Sequence, residues 1–172
     1  MIRLIAFLGN YGKQYSENRH NTAWLFADTV PDCQNGSWQS KFKGQFLVNR
    51  GALKTKDGAS DIYYLKPETY MNLSGDAIIE ASHFYKIKPE EILVVHDELE
   101  LPLGTMSLKW SGGLGGHNGL RSTKANLGTP DFWRLRFGIG RPEHKDIAGY
   151  VLSDFSKSER EILDKIFPCG NE

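Results

Sequence analysis

Apolar residues occur along the chain in two rhythms. Short, mainly apolar stretches at Ile2–Leu8, Ile92–Val95 and Phe132–Ile139 predict strands, and the non-alternating runs among them point to burial on both faces. The first ends at Gly9-Asn10-Tyr11-Gly12, and the β-branched Ile92–Val95 predicts a central strand. Phe42–Leu53 and Ile62–Lys66 predict two further strands, joined by a polar turn over Lys54–Asp61 with Asp57-Gly58 at its tip. Pro102 and Gly104 turn the chain into another strand, Thr105–Trp110. Helical spacing covers Thr22–Val30, closed by Pro31, and Leu73–Tyr85, with Ile78, Ile79, Ala81 and Phe84 inward and Ser74 as a cap. Helices are also expected at Leu120–Leu127, Ala148–Leu152 and Ser158–Phe167. Strands alternating with helices predict an α/β fold: a single three-layer domain over residues 1–172, its central sheet mixed, mostly parallel and flanked by helices.

Composition changes this picture little. The 172 residues are 40% hydrophobic and 24% charged, ordinary for a soluble domain. The 21 basic and 21 acidic side chains cancel, which argues against indiscriminate nucleic-acid binding. The charge is nevertheless segregated. Lys109, Arg121, Lys124, Arg134, Arg136, Arg141 and Lys145 follow one another, opposed only by Asp131 and Glu143, while Glu90, Glu91, Asp97, Glu98 and Glu100 lie just upstream. Cys33 and Cys169 are far apart and without metal-ligand spacing, as in a reduced cytoplasmic protein. The opening apolar run is too short for a signal peptide, and no stretch reaches membrane-spanning length.

In an α/β sheet, ligands bind beyond the carboxyl ends of the strands. Asn10 and the run Asn18-Arg19-His20-Asn21 follow the first strand, Asp97 follows Ile92–Val95, and His117-Asn118 follows Thr105–Trp110. If those strands run parallel, the clusters converge. There is no Gly-x-Ser-x-Gly elbow and neither cysteine has a catalytic context, which leaves water as the attacking group. His20 is the leading base, with a carboxylate such as Asp97 to fix its tautomer; a loop histidine capping the next helix is the alternative. A metal held by His20, His96, Asp97 and His117 is a rival. Helical His-Glu-x-x-His spacing is absent, however, and His96 and Asp97 face opposite sides of a strand. His83 and His144 read as structural or surface residues.

The segment Ser111–Gly119, SGGLGGHNG, lacks the Lys-Ser/Thr ending of a P-loop and the third glycine of a dinucleotide fingerprint. Its glycines instead suit a mobile wall that brings the Asn118 amide onto a substrate carbonyl. Asn72, in Tyr70-Met71-Asn72-Leu73-Ser74-Gly75, offers a second carboxamide, or else a helix cap. Asn10, Asn21, Asn72 and Asn118 at strand–helix junctions suggest a polar, uncharged substrate site.

FLGNYGKQY…RHNTAW, KPETYMNLSG, VVHDELELPLG, GGLGGHNGLRS and FWRLRFGIGRP occur in this order across nearly the whole chain. Together they resemble the bacterial-type peptidyl-tRNA hydrolases. The resemblance implies a monomeric cytoplasmic α/β enzyme, without metal or cofactor, that hydrolyses the ester between a peptide and the 3′ ribose of tRNA. It further implies His20 as general base and Asp97 as its orienting partner. Asn10 and Asn72 would position peptide, terminal nucleotide or water, and Asn118 would stabilise the transition state. Tyr15, Tyr70, Met71 and His117 would line the substrate site, and Lys109 and Arg136 would grip the tRNA 5′ phosphate. Partners are thus the acceptor stem and 3′ end of peptidyl-tRNA, not DNA or membrane. Lys109, Lys124, Arg134, Arg136 and Arg141 would form a basic face beside the crevice; a solvated charged face is the plain alternative. Tyr11 stands where the family has proline, Ala23 where it has glycine and Leu114 where histidine is frequent, and the C-terminus is short. A binding-only relative and a metal-dependent hydrolase are the competing readings.

Overall fold

The computed structural model describes residues 1–143 and 145–170, so His144 lies outside the described residues. Seven strands are seen among them: β1 (Leu4–Phe7), β2 (Gln39–Lys41), β3 (Gly44–Thr55), β4 (Gly58–Pro67), β5 (Ile92–Glu98), β6 (Met106–Trp110) and β7 (Trp133–Gly138). They form one sheet in the order β2-β3-β4-β1-β5-β7-β6. β1 is parallel to β4 and β5, and β5 is parallel to β7. β3 is antiparallel to β4, β2 to β3, and β6 to β7. All strands except β3 and β6 therefore point the same way, and the sheet is mixed and mostly parallel as its sequence predicts.

The helices are α1 (Thr22–Ala27), α2 (Pro31–Asn35), α3 (Ser74–Phe84), α4 (Asn118–Leu127), α5 (Ile147–Val151) and α6 (Lys157–Gly170). One face of the sheet presents Leu4, Ala6, Leu65 and Val94 to Ala77, Ile78 and Ala81 of α3 and Leu120 of α4. The other presents Phe7, Tyr64, Val95, Leu135 and Phe137 to Phe26 of α1 and to Leu163 and Phe167 of α6. Burial on both faces is why β1 and Ile92–Val95 of β5 lack polar alternation. No helix among the described residues is long and apolar enough to cross a membrane.

Several local expectations are corrected. In α3 the inward stripe is Ala77, Ile78, Ala81 and Ser82, while Phe84 is 64% exposed. Ser74 does not cap; its hydroxyl donates to the Met71 carbonyl. The polar stretch after Leu53 is not a broad turn, because β3 and β4 continue pairing to Thr55↔Gly58. An antiparallel ribbon needs only its ladder there, with no apolar face to bury. The last helix, which the sequence left in question, forms as α6 and runs to Gly170.

The orientation of β6 matters most. Trp110, its last residue, pairs with Trp133 at the start of β7, whereas Asp97 is level with Phe137 near the end of β7. The premise that all three strands run parallel is thus wrong for β6. The chain leaving β6 must climb back along β7, roughly four residues or ~13 Å at the usual strand rise. The glycine-rich segment makes that climb.

Candidate active site

Asn10 lies just beyond β1 and is nearly buried. Its backbone N–H donates to Asn21 Oδ1 at 2.7 Å, and Asn21 Nδ2 donates back to the Asn10 carbonyl at 2.8 Å. Asn10 Oδ1 accepts the Met71 N–H at 2.6 Å. With that oxygen occupied, the side chain offers its NH2 donors to the crevice. Asn21 is fully buried in this exchange, so it is a structural clasp and not a substrate group. Tyr70, just before Met71, has φ 62 and ψ 160, a backbone region that costs about 1–3 kcal/mol for a non-glycine residue. That conformation accompanies the Met71–Asn10 bond and leaves the Tyr70 ring 47% exposed, against Tyr11 at 5.7 Å and Tyr15 at 6.3 Å between centroids.

His20 sits in a single turn of 3-10 helix (Arg19–Asn21) before α1. Its Nδ1 is 2.9 Å from Asp97 Oδ2 and 3.0 Å from Oδ1. Because the carboxylate only accepts, Nδ1 carries the proton and Nε2 keeps its lone pair. Burial opposes a charge on His20, but the charge and hydrogen bond of Asp97 outweigh it and raise the pKa above the ordinary histidine value. Burial likewise opposes ionisation of Asp97, yet His20 and His117 hold its carboxyl far below the usual carboxylate range. His117 Nε2 lies 2.8 Å from Asp97 Oδ1. His20, Asp97 and His117 therefore meet as expected, with donor atoms within 4.8 Å of one another.

His96 stays out of this group. It is 1% exposed, its Nδ1 meets the Asp97 carbonyl at 2.7 Å, and its Nε2 has no partner among the described residues. Burial, and next to it His117, push its pKa down to about 3, so it remains neutral. Cys33 is buried, and burial pushes its thiol up to about 12, which leaves no thiolate for nucleophilic attack.

The glycine segment connects these groups to the far edge of the sheet. Gly112, Gly115 and Gly116 have φ of 107, 58 and 72, a region open to glycine at little cost. Arg134 anchors the segment's start, donating to the carbonyls of Gly113 at 2.5 Å, Gly112 at 3.1 Å and Pro130 at 2.9 Å. At 1% exposure Arg134 is part of the fold, which removes it from the expected basic face. Arg141 is also engaged, paired with Glu100. Lys109 and Arg136 do share a face of the β6–β7 pair, since Lys109 is opposite Arg134 and Ser107 opposite Arg136. Arg136 donates to Ser107 Oγ at 2.8 Å and is 3.8 Å from Glu98.

Two adjoining cavities open at His20. One, of about 160 Å³, is lined by His20, Asp97, Glu98, His117, Asn118 and the α5 residues Ile147, Ala148 and Val151. The other, of about 250 Å³, is lined by Asn10, His20, Met71, Asn72, Asn118 and again Ala148 and Val151. His20 and Asn118 border both. The α5 wall was not foreseen, because an isolated Ile-Ala-Gly-Tyr-Val carries no chemical signature. Arg19 was missed as well. It binds Glu159 through both carboxylate oxygens at 2.9 and 3.2 Å, donates to the Ser153 and Asp154 carbonyls, and stacks on Tyr150 at 4.3 Å. It thereby fastens the loop of His20 to the C-terminal helices. An arginine beside the histidine was the only available sign.

A parallel sheet core with titratable groups gathered at the carboxyl ends of β1 and β5 has the organisation of an α/β enzyme. Comparison with known proteins makes this specific: the chain belongs to the peptidyl-tRNA hydrolase family, whose model matches residues 4–171. It is 48% identical over 170 residues to the peptidyl-tRNA hydrolase of Desulfitobacterium hafniense, covering 98% of this chain and 89% of that one. With the enzyme of Treponema pallidum it shares 48% identity over 167 residues, covering 96% and 81%. The crystal structure of peptidyl-tRNA hydrolase from Acinetobacter baumannii superposes with a TM-score of 0.86 at 38% identity, covering 97% and 83% of the two chains. Of the positions expected to depart from the family pattern, Ala23 is fully buried and Leu114 packs on the α3–α4 core, while Tyr11 is exposed beside Tyr70.

Proposed function

We propose that this chain, acting as one domain over residues 1–172 and as a cytoplasmic monomer, hydrolyses the ester between a peptide or N-blocked aminoacyl group and the 3′ ribose of tRNA. The observation that carries the reading is the His20–Asp97 pair, whose geometry leaves the His20 Nε2 lone pair beside two cavities. His20 Nε2 takes a proton from water as the oxygen attacks the ester carbonyl, and Asp97 stabilises the imidazolium that forms. The Asn118 amide donates to the carbonyl oxygen as it becomes an oxyanion. Collapse of the tetrahedral intermediate breaks the bond to the 3′ oxygen, which leaves with the proton held on His20. No metal takes part in these steps.

Asn10 and Asn72 position the ester and water, with Tyr15, Tyr70, Met71 and His117 around the peptide and terminal nucleotide. Lys109 and Arg136 contact the 5′ phosphate of the acceptor stem, reading end structure and not sequence. The test is turnover of N-blocked aminoacyl-tRNA by the purified protein, with and without a chelator. Turnover that survives the chelator is expected. Loss of activity restored by zinc would contradict the metal-free mechanism, and binding of tRNA without turnover would contradict hydrolysis itself.

A further inference from the structure

Both ring nitrogens of His117 are committed, and the two bonds lead in different directions. Nδ1 accepts the backbone N–H groups of Gly119 at 3.1 Å and Leu120 at 3.3 Å. These belong to the first turn of α4, where N–H groups have no partner within the helix. His117, at φ −73 and ψ 119, is therefore the cap of α4. Packing is tight at this point: a Cβ on Gly119 would come within 2.6 Å of Met71 Sδ and 3.0 Å of the His117 ring. A backbone N–H can only donate, so Nδ1 must hold the lone pair and the proton of the neutral ring sits on Nε2. That proton points at Asp97, 2.8 Å away. The helix end thus selects the tautomer that can reach the carboxylate.

We infer that His117 is a positioning residue, tying the N-terminus of α4, and with it Asn118, to the same carboxylate that orients His20. The inference rests on the roles proposed above for His20 and Asn118. One consequence is geometric. Base and amide donor are registered against a single group, and a misplacement of about 1 Å in such an arrangement can cost on the order of 10² in rate. A second is electrostatic. Asp97 divides its charge between two N–H donors, so removing the one from His117 leaves it a stronger partner for His20 and raises the His20 pKa further. The other groups bordering this side of His20 are Asp97 and Glu98 of β5 and His117 itself; Arg19 turns away to Glu159, and His96 packs on His117. A third consequence concerns metals. A cation on His117 Nε2 would force the proton onto Nδ1, directly against the two N–H groups of α4, so this histidine is poorly prepared to be a ligand despite its neighbours.

Nitrogen NMR of the histidine rings tests the inference on the native chain. His117 is expected to show a protonated Nε2 and a bare Nδ1; a proton on Nδ1 would overturn the proposal. Two variants separate its two bonds. In His117→Asn the side-chain oxygen can still cap α4 but cannot reach Asp97. Turnover of N-blocked aminoacyl-tRNA should fall about tenfold or more, while the His20 titration moves to higher pH. In His117→Gln the amide can reach Asp97 but caps poorly, so the His20 titration should stay near native while melting falls by about 2–4 °C. Unchanged turnover and an unchanged His20 titration in His117→Asn would sink the positioning role. If His20→Ala and Asn118→Ala still lose activity in that case, the proposed function stands without it.

Discussion

The centre around Asp97 and the β6–β7 strand pair both concentrate ionisable groups, and they hold them in opposite ways. At the centre, the carboxylate and the rings of His20 and His117 are nearly sealed from solvent, and each faces a partner at hydrogen-bond distance. On β6–β7, Arg136 is bonded to a serine and only loosely to Glu98, while the Lys109 chain lies over Gly112 and stays partly open to water. Buried, mutually satisfied groups keep fixed tautomers and directions, which suits a proton transfer. Partly exposed cations are screened by salt and can still be reached by a phosphate. Arg134 belongs to neither set. It shares a face with Lys109 and Arg136, yet it is spent on three backbone carbonyls. A cation in the sequence is thus not equivalent to a cation on the surface.

Substitutions can break this contrast on either side, and the centre should respond more strongly. Asn118→Ala is expected to reduce turnover by about 10²–10³ with little change in KM, since one oxyanion donor is usually worth that much. Turnover that holds while affinity falls would make Asn118 a ground-state contact and the glycine segment a mere rim. Lys109→Ala should act more gently and differently. KM for tRNA substrates should rise, and the slope of binding against salt should flatten by about 1. A minimal substrate without the 5′ phosphate should be nearly indifferent to the change. Equal losses on both substrates would place Lys109 in the fold or the crevice instead of on the phosphate.

The sheet was legible because strands buried on both faces leave continuous apolar runs, as in Ile92–Val95, and because polar clusters follow β1 and close β5, where Asp97 proves to be within the strand and not past it. Phe84 was misplaced because spacing alone does not say where on its helix the packing partner ends. The parallel premise for β6 failed because a short strand carries no mark of its direction. The convergence survived because the intervening glycines permit the left-handed backbone that returns the chain to Asp97. His20, Asp97, Asn10 and Asn118 could be selected by residue type and junction position. The cap formed by His117, the Arg19–Glu159 anchor and the α5 wall depend on contacts between distant segments, and no local pattern encodes those. Arg134 shows the same limit from the other side, since its burial follows from carbonyls that converge only when the glycine segment folds back.

The most direct test of the central claim is His20→Ala, with turnover and tRNA affinity measured on the same preparation. General-base catalysis typically supplies about 10²–10⁴ in rate, so turnover should fall in or above that range while tRNA affinity changes little. Asp97→Asn should move turnover in the same direction, because an amide holds the His20 tautomer less reliably. Near-native turnover in folded His20→Ala would contradict the account at its centre, since among the described residues no other group bordering both cavities is placed to take the proton from water.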